Sequence, residues 1–183
     1  ASSEWASGYP AATGIGTQHG GILVDFNAVK GGIEIIPLDN DWQRAAHVYT
    51  DEVLISHRTD AEKGTPKFER GKSLSDHQQE MIYISGTAAI RGEESIVTGD
   101  VLVQTEITLE NIQHLIGLEE GREKLPEHSG KLELLRVYLK HEEDAKIVKE
   151  DMDKLCPDVP IVYLYADVCR EELLVEIEGI AYL

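Results

Sequence analysis

A chain of 183 residues, 42% hydrophobic and 28% charged, has the composition of a globular protein with a real core, and its length suits one domain plus an extension. Its 34 acidic and 17 basic residues leave a formal net charge of -17, which repels a polyanion and excludes the basic footprint of a nucleic-acid binder. No apolar run approaches the roughly 20 residues that cross a bilayer, so a membrane span is not expected.

In chain order, the opening ASSEWASGYP starts without Met, as a piece of a longer protein would, and shows no secretory leader pattern. The turn-rich GYPAATGIGTQHGG leads into two predicted short strands, GILVDF and IEIIPL, and then a polar stretch from Asp39 to Arg44. Ser56 to Asp76, charged and broken by Gly64, Pro66 and Gly71, reads as a long loop with a short strand around Phe68.

From EMIYISG onward the pattern sharpens. Glu80 to Gly86 is β-branched and aromatic, as in a buried strand. Leu102, Thr105, Leu109, Ile112 and Ile116 recur at three- and four-residue steps, predicting a helix with Thr98 as N-cap and Gly117 as its stop. A strand from Lys131 to Lys140 follows, then a helix from about Glu142 to Leu155 with Ala145, Val148, Met152 and Leu155 inward, ended by Pro157 and Pro160. The chain closes with two strands, PIVYLYADV and LLVEIEGIAYL. Strand, helix, strand, helix, strand, strand predicts an α+β fold with two helices on one face of a mixed sheet. The opposite face then needs a cover, from the first half of the chain or from a neighbouring subunit.

Several familiar signals fail. TGIGTQHGG has His19 where a dinucleotide fingerprint needs its third glycine, and Gly71 to Ser73 lacks the upstream glycine of a phosphate loop, Pro66 standing there. Seven histidines show no metal-ligand spacing, and Cys156 and Cys169 form neither a CxxC pair nor a disulfide framework; no metal is expected, and a reducing cytoplasm fits. Asp151 to Asp153 reads as a solvated helix face.

Two features carry chemistry. Side chains alternate across a strand, so Glu176 and Glu178 share one face. The plain reading is a solvated face, yet Leu174 and Ile180 lie on it too. A partly dry pair of like charges raises the pKa of at least one, leaving a neutral acid able to donate a proton near pH 7. Cys169 and Arg170 read plainly as a buried thiol and a surface arginine; functionally they make a pocket wall with a guanidinium fork for a carboxylate.

EMIYISGTAAIRGEES, GDVLVQTE with LENI, VYLK and the closing ADVCREELLVEIEGIAYL together resemble the Rid (YjgF) superfamily over about residues 79–183. That resemblance implies a chorismate-mutase-like α+β fold and a homotrimer, with residues 1–78 as a strand- and loop-rich extension. GYPAATGIG and TPKFERG look like segments of the chorismatases, two-part enzymes on Rid-like units that are typically longer than this chain. Rid deaminases hold the substrate carboxylate with an arginine early in the penultimate strand, where this chain has Ile161 after Pro160. The chorismatase branch is therefore favoured over an imine or enamine deaminase or a Rid-type protein that only binds a small metabolite.

The resemblance implies removal of pyruvate from chorismate or a related enolpyruvyl carboxylate, without a cofactor. Glu176 matches the general acid and Cys169 the pocket cysteine. Arg70 and Arg170 are the candidates for binding a small anionic metabolite, with Gly86, Thr87 and Ala88 as wall and Tyr49, Arg136 and Tyr163 proposed from position. Where the family pattern has a histidine after a glycine this chain has Glu93, a further negative charge set against an anionic substrate. Arg70 and Arg170 sharing a cleft with Glu176 is the arrangement that separates an enzyme from a binder.

Overall fold

A computed structural model describes residues 8–18, 20–54, 64–76, 78–117 and 131–183. Its centre is a six-stranded sheet of β1 (Glu34–Leu38), β2 (Gly71–Ser75), β3 (Glu80–Thr87), β6 (Lys131–Leu139), β7 (Ile161–Tyr165) and β8 (Val175–Tyr182). The strands lie in the order β1-β2-β3-β8-β6-β7. Only β6 and β7 run parallel; the other neighbours are antiparallel. A small hairpin of β4 (Ile90–Arg91) and β5 (Glu94–Ser95) stands apart from this sheet.

Helices α1 (Val101–Ile116) and α2 (Ala145–Leu155) pack on one face, as the element order predicted. Alternation puts Leu135, Val137 and Leu139 of β6 and Val175, Ile177 and Ala181 of β8 into that core, with Ile112, Val148 and Met152 above them. Thr105 and Thr108 are buried in α1 because their hydroxyls donate to the carbonyls of Val101 and Gln104, each at 2.7 Å.

The N-cap of α1 is Asp100, not Thr98: its carboxylate accepts the Leu102 and Val103 amides at 2.9 and 3.4 Å. Thr98 instead accepts the Asp100 amide at 3.2 Å, setting the turn that presents the cap. Gly117 ends the helix as predicted, in the left-handed conformation at φ 80°. In α2, Val148 and Met152 are buried, whereas Leu155 is 44% exposed at the last turn, beyond the reach of the core. Before α2, Glu142–Asp144 forms a separate 3-10 turn.

Two predicted strands differ. The one expected around Phe68 begins at Gly71, since Glu69 makes only a single bridge, to Ala11. Residues 56–63 of that expected loop lie outside the described residues. GILVDF pairs with no strand among the described residues, and its Ile22 is 93% exposed. An apolar run signals burial without saying against what, and none of the described residues buries it. On the sheet face opposite the helices, β7 exposes Val162 and Leu164, whereas Glu176 of β8 is covered.

Beyond this sheet, the polar stretch after β1 docks on α1. Asn40 donates to the Asn111 carbonyl at 2.9 Å, and the Trp42 ring stacks on His114 at 4.0 Å, with Asp41 bonded to the same imidazole. This anchor starts the loop that carries Tyr49.

Candidate functional site

Ser85, in β3, ties three segments together. Its hydroxyl donates to the Glu69 carbonyl at 2.5 Å and accepts the Ala12 amide at 3.0 Å, and its amide donates to the Arg70 carbonyl at 3.1 Å. The opening GYPAATGIG therefore runs from a bridge at Ala11–Glu69 to one at Gly16–Asp167, and TPKFERG leads into β2 beside it. Between these two segments, the end of β3 and the start of β8 lies a cavity of about 470 Å³.

Glu176 lines this cavity and is 6% exposed. It is the second residue of β8, next to Ile177, whose pairing with Thr87 closes a bulge in β3 between Ile84 and Thr87. The bulge brings Gly86 against it: a Cβ at Gly86 would stand 2.1 Å from Glu176 Oε1. A glycine there is a space requirement, since its backbone is not in the left-handed region. Burial first, and the neighbouring Glu178 second, push the Glu176 carboxyl up to about 7, with Arg70 opposing. Glu178 is fixed by Arg136 at 2.6 Å and by the Tyr138 hydroxyl at 2.8 Å. The alternation argument thus holds, and the two glutamates have different surroundings.

Both expected arginines reach the same cavity as Glu176. Arg70 is 4% exposed, and its Nη2 donates to the Arg44 carbonyl at 2.6 Å and to the Tyr49 hydroxyl. Its Nε is buried without a hydrogen-bond partner. Arg170 Nη1 donates to the Glu93 carbonyl at 2.9 Å and to Ser95 Oγ at 3.0 Å. Tyr49 links the pair: each guanidinium carbon lies 5.6 Å from its ring centre.

Cys169, Gly86 and Ala88 complete the wall near the acid. Cys169 is exposed, not the buried thiol of the plain reading, yet desolvation at the cavity wall and then the charge of Glu176 raise its thiol, which keeps it protonated. Lys67 and Phe68 also line the cavity and were not singled out from sequence, although both lie inside TPKFERG. Lys67 Nζ donates to Thr65 Oγ1 at 2.6 Å and adds a cation at the exposed side.

Three proposed positions lie outside the cavity lining. Thr87 is buried in the bulge, its hydroxyl donating to the Ser85 carbonyl at 2.8 Å. Arg136 faces Glu178 on the open side of the sheet because β6 pairs with β8 in the register Arg136↔Glu178. Tyr163 is on the helix side of β7, where burial and then Asp153 push its hydroxyl up to about 12. Ile161, the position that bears an arginine in the deaminases, packs on the core. Glu93 does not line the cavity; it is held by Thr50 and Arg44. Among the described residues, no group of three or more His, Cys, Asp or Glu is placed to hold a metal ion, and no helix is long and apolar enough to cross a membrane.

No protein-family model matches the sequence. A chorismatase of Streptomyces rapamycinicus is 35% identical over 179 residues, covering 93% of this chain and 50% of that protein. A 3-hydroxybenzoate synthase of Streptomyces hygroscopicus is 33% identical over 185 residues, covering 94% and 50%. A crystal structure of a chorismatase superposes with a TM-score of 0.69 at 28% identity, over 94% of this chain and 50% of that one. An L-PSP-type protein of Entamoeba histolytica shares the fold alone, with a TM-score of 0.54 at 12% identity, over 82% and 100%. The chain spans about half the length of the curated relatives it matches. By sequence and by fold the chain is chorismatase-like, on the Rid-type architecture that its second half led us to expect.

Proposed function

We propose that the protein is a chorismatase-like enzyme that releases pyruvate from chorismate or a related enolpyruvyl carboxylate. The observation that carries this is a buried acid held near neutrality, Glu176, in one cavity with the guanidiniums of Arg70 and Arg170. Chorismate bears two carboxylates, and the two arginines give each a cationic partner. The Glu176 carboxylic acid donates its proton to the methylene carbon of the enol ether, generating an oxocarbenium-like centre. Water or a ring hydroxyl then attacks that centre. Breakdown of the adduct cleaves the ether bond and frees pyruvate, and a proton from solvent restores the acid.

Neither a metal nor a redox step enters this balance: with water added, chorismate gives pyruvate and a dihydroxycyclohexadiene carboxylate, and without it pyruvate and a hydroxybenzoate. The Streptomyces relatives carry names of both kinds, chorismatase and 3-hydroxybenzoate synthase. Incubating the folded protein with chorismate and reading pyruvate with a coupled lactate dehydrogenase assay tests the reading. Absence of pyruvate removes it.

Assembly as a homotrimer belongs to the same reading. Val162 and Leu164 on β7, and Ile22, Leu23, Val24 and Phe26 near the start of the chain, are apolar side chains that the described residues leave to water and that a second and third copy would cover. Light scattering is expected to return the mass of three chains; a monomer mass at micromolar concentration contradicts it. Free thiols at Cys156 and Cys169 suit the cytoplasm as its location.

A further inference from the structure

Glu93 sits in the turn of the β4–β5 hairpin, outside the cavity, yet it touches Arg170 directly and the segment 44–50 whose Arg44 carbonyl and Tyr49 hydroxyl hold Arg70. Its Oε2 accepts the Thr50 amide at 2.8 Å, and its Oε1 accepts the Thr50 hydroxyl at 2.7 Å and Arg44 Nη1 at 3.2 Å. Its own carbonyl accepts Arg170 Nη1 at 2.9 Å. One residue therefore binds both ends of the segment 44–50 through its side chain and one guanidinium through its backbone.

The two ends of that segment are held differently. At the start, backbone bonds suffice: the Arg44 amide donates to the Gly92 carbonyl at 2.7 Å, and the Gly92 amide to the Trp42 carbonyl at 2.8 Å. Near the other end, after the 3-10 turn Ala46–Val48, the contact to the hairpin is the carboxylate of Glu93 on Thr50. Tyr49 is the residue before Thr50. Its hydroxyl accepts from Arg70, and its ring lies 5.6 Å from the guanidinium carbons of both arginines. The Arg44 carbonyl, at the pinned start, is the second acceptor of Arg70.

We infer that Glu93 is a positioning residue: by clamping Thr50 it fixes Tyr49, and with its own carbonyl it fixes Arg170, so that both guanidiniums converge on one anionic substrate. The hydroxyl and amide of Thr50 hold its carboxyl below the usual range, so the clamp keeps its charge through neutral pH. The negative charge that the sequence set against an anionic substrate is thus engaged by Thr50 and Arg44, and works for binding.

The inference rests on the cavity being the anion site of the proposed function. Glu93→Ala is expected to raise KM for chorismate roughly tenfold to hundredfold, from the loss of charge-assisted bonds, with kcat within about twofold. Glu93→Gln keeps an acceptor for the Thr50 hydroxyl and is expected to fall between wild type and Ala. Thr50→Val, which removes that hydroxyl from the other side, is expected to follow Gln. Unchanged KM in all three variants, or a fall in kcat alone, overturns the inference.

A substrate-independent arm separates this failure from failure of the chorismate reading. Phenylglyoxal modification mapped by peptide mass is expected to reach Arg70 and Arg170 faster in Glu93→Ala than in wild type. If wild type releases no pyruvate, the chorismate reading falls and this arm decides for Glu93; equal modification rates in a folded variant overturn the clamp.

Discussion

Glu176→Gln is expected to lower pyruvate release from chorismate by about a hundred- to ten-thousand-fold, the range of a lost general acid. The amide keeps the shape and fills the same buried position, but it has no proton to give. Binding to Arg70 and Arg170 is left intact, so KM is expected to stay within a few-fold while kcat falls. A variant with unimpaired kcat removes Glu176 from the chemistry and leaves the cavity as a binding site.

The same substitution has a stability signature. A carboxyl raised from 4.5 to about 7 binds its proton more tightly folded than unfolded, so folding is helped where the group is protonated. That stability is present below pH 4.5 and is lost as the pH rises through about 7, by roughly 3 kcal/mol in all. Glu176→Gln is therefore expected to flatten this decline and to melt higher than wild type at pH 8. The acid is kept at a cost to the fold, as a catalytic group under selection for activity would be.

Gly86→Ala is expected to cost about a hundredfold in kcat with little change in melting temperature. The added methyl would stand 2.1 Å from Glu176 Oε1 and 2.8 Å from Thr13 Cγ2, so the carboxyl must move. A displacement near 1 Å at a reacting group is worth about that factor. The backbone at Gly86 tolerates alanine, which separates a misplaced acid from a misfolded chain. Steady-state kinetics beside a circular dichroism melt checks both; wild-type kcat in a folded variant means the acid does not need its place against Gly86.

The parts legible in the sequence were those set by a short period. Alternation alone put Glu176 and Glu178 on one face of β8, and the helical spacing of Thr105, Leu109, Ile112 and Ile116 found the buried side of α1. Pairing between distant strands is not periodic, and there the sequence fell short. Arg136 lies opposite Glu178 and not Glu176 because of the β6–β8 register. Tyr163 faces the helices because odd-numbered residues of β7 do. Lys67 escaped notice beside Arg70, since which residues of TPKFERG face the cavity depends on how that segment lies against Ser85. GILVDF looked like a strand because hydrophobicity reports a need for cover, and among the described residues it pairs with no strand.

The most direct measurement is the titration of one carboxyl. With glutamate labelled at the side-chain carboxyl carbon, and Glu176→Gln to assign the signal, the ¹³C shift of Glu176 followed from pH 4 to 9 is expected to turn at about 7. A midpoint in the ordinary glutamate range, near 4.5, contradicts the account, because an acid already ionised at neutral pH has no proton to deliver.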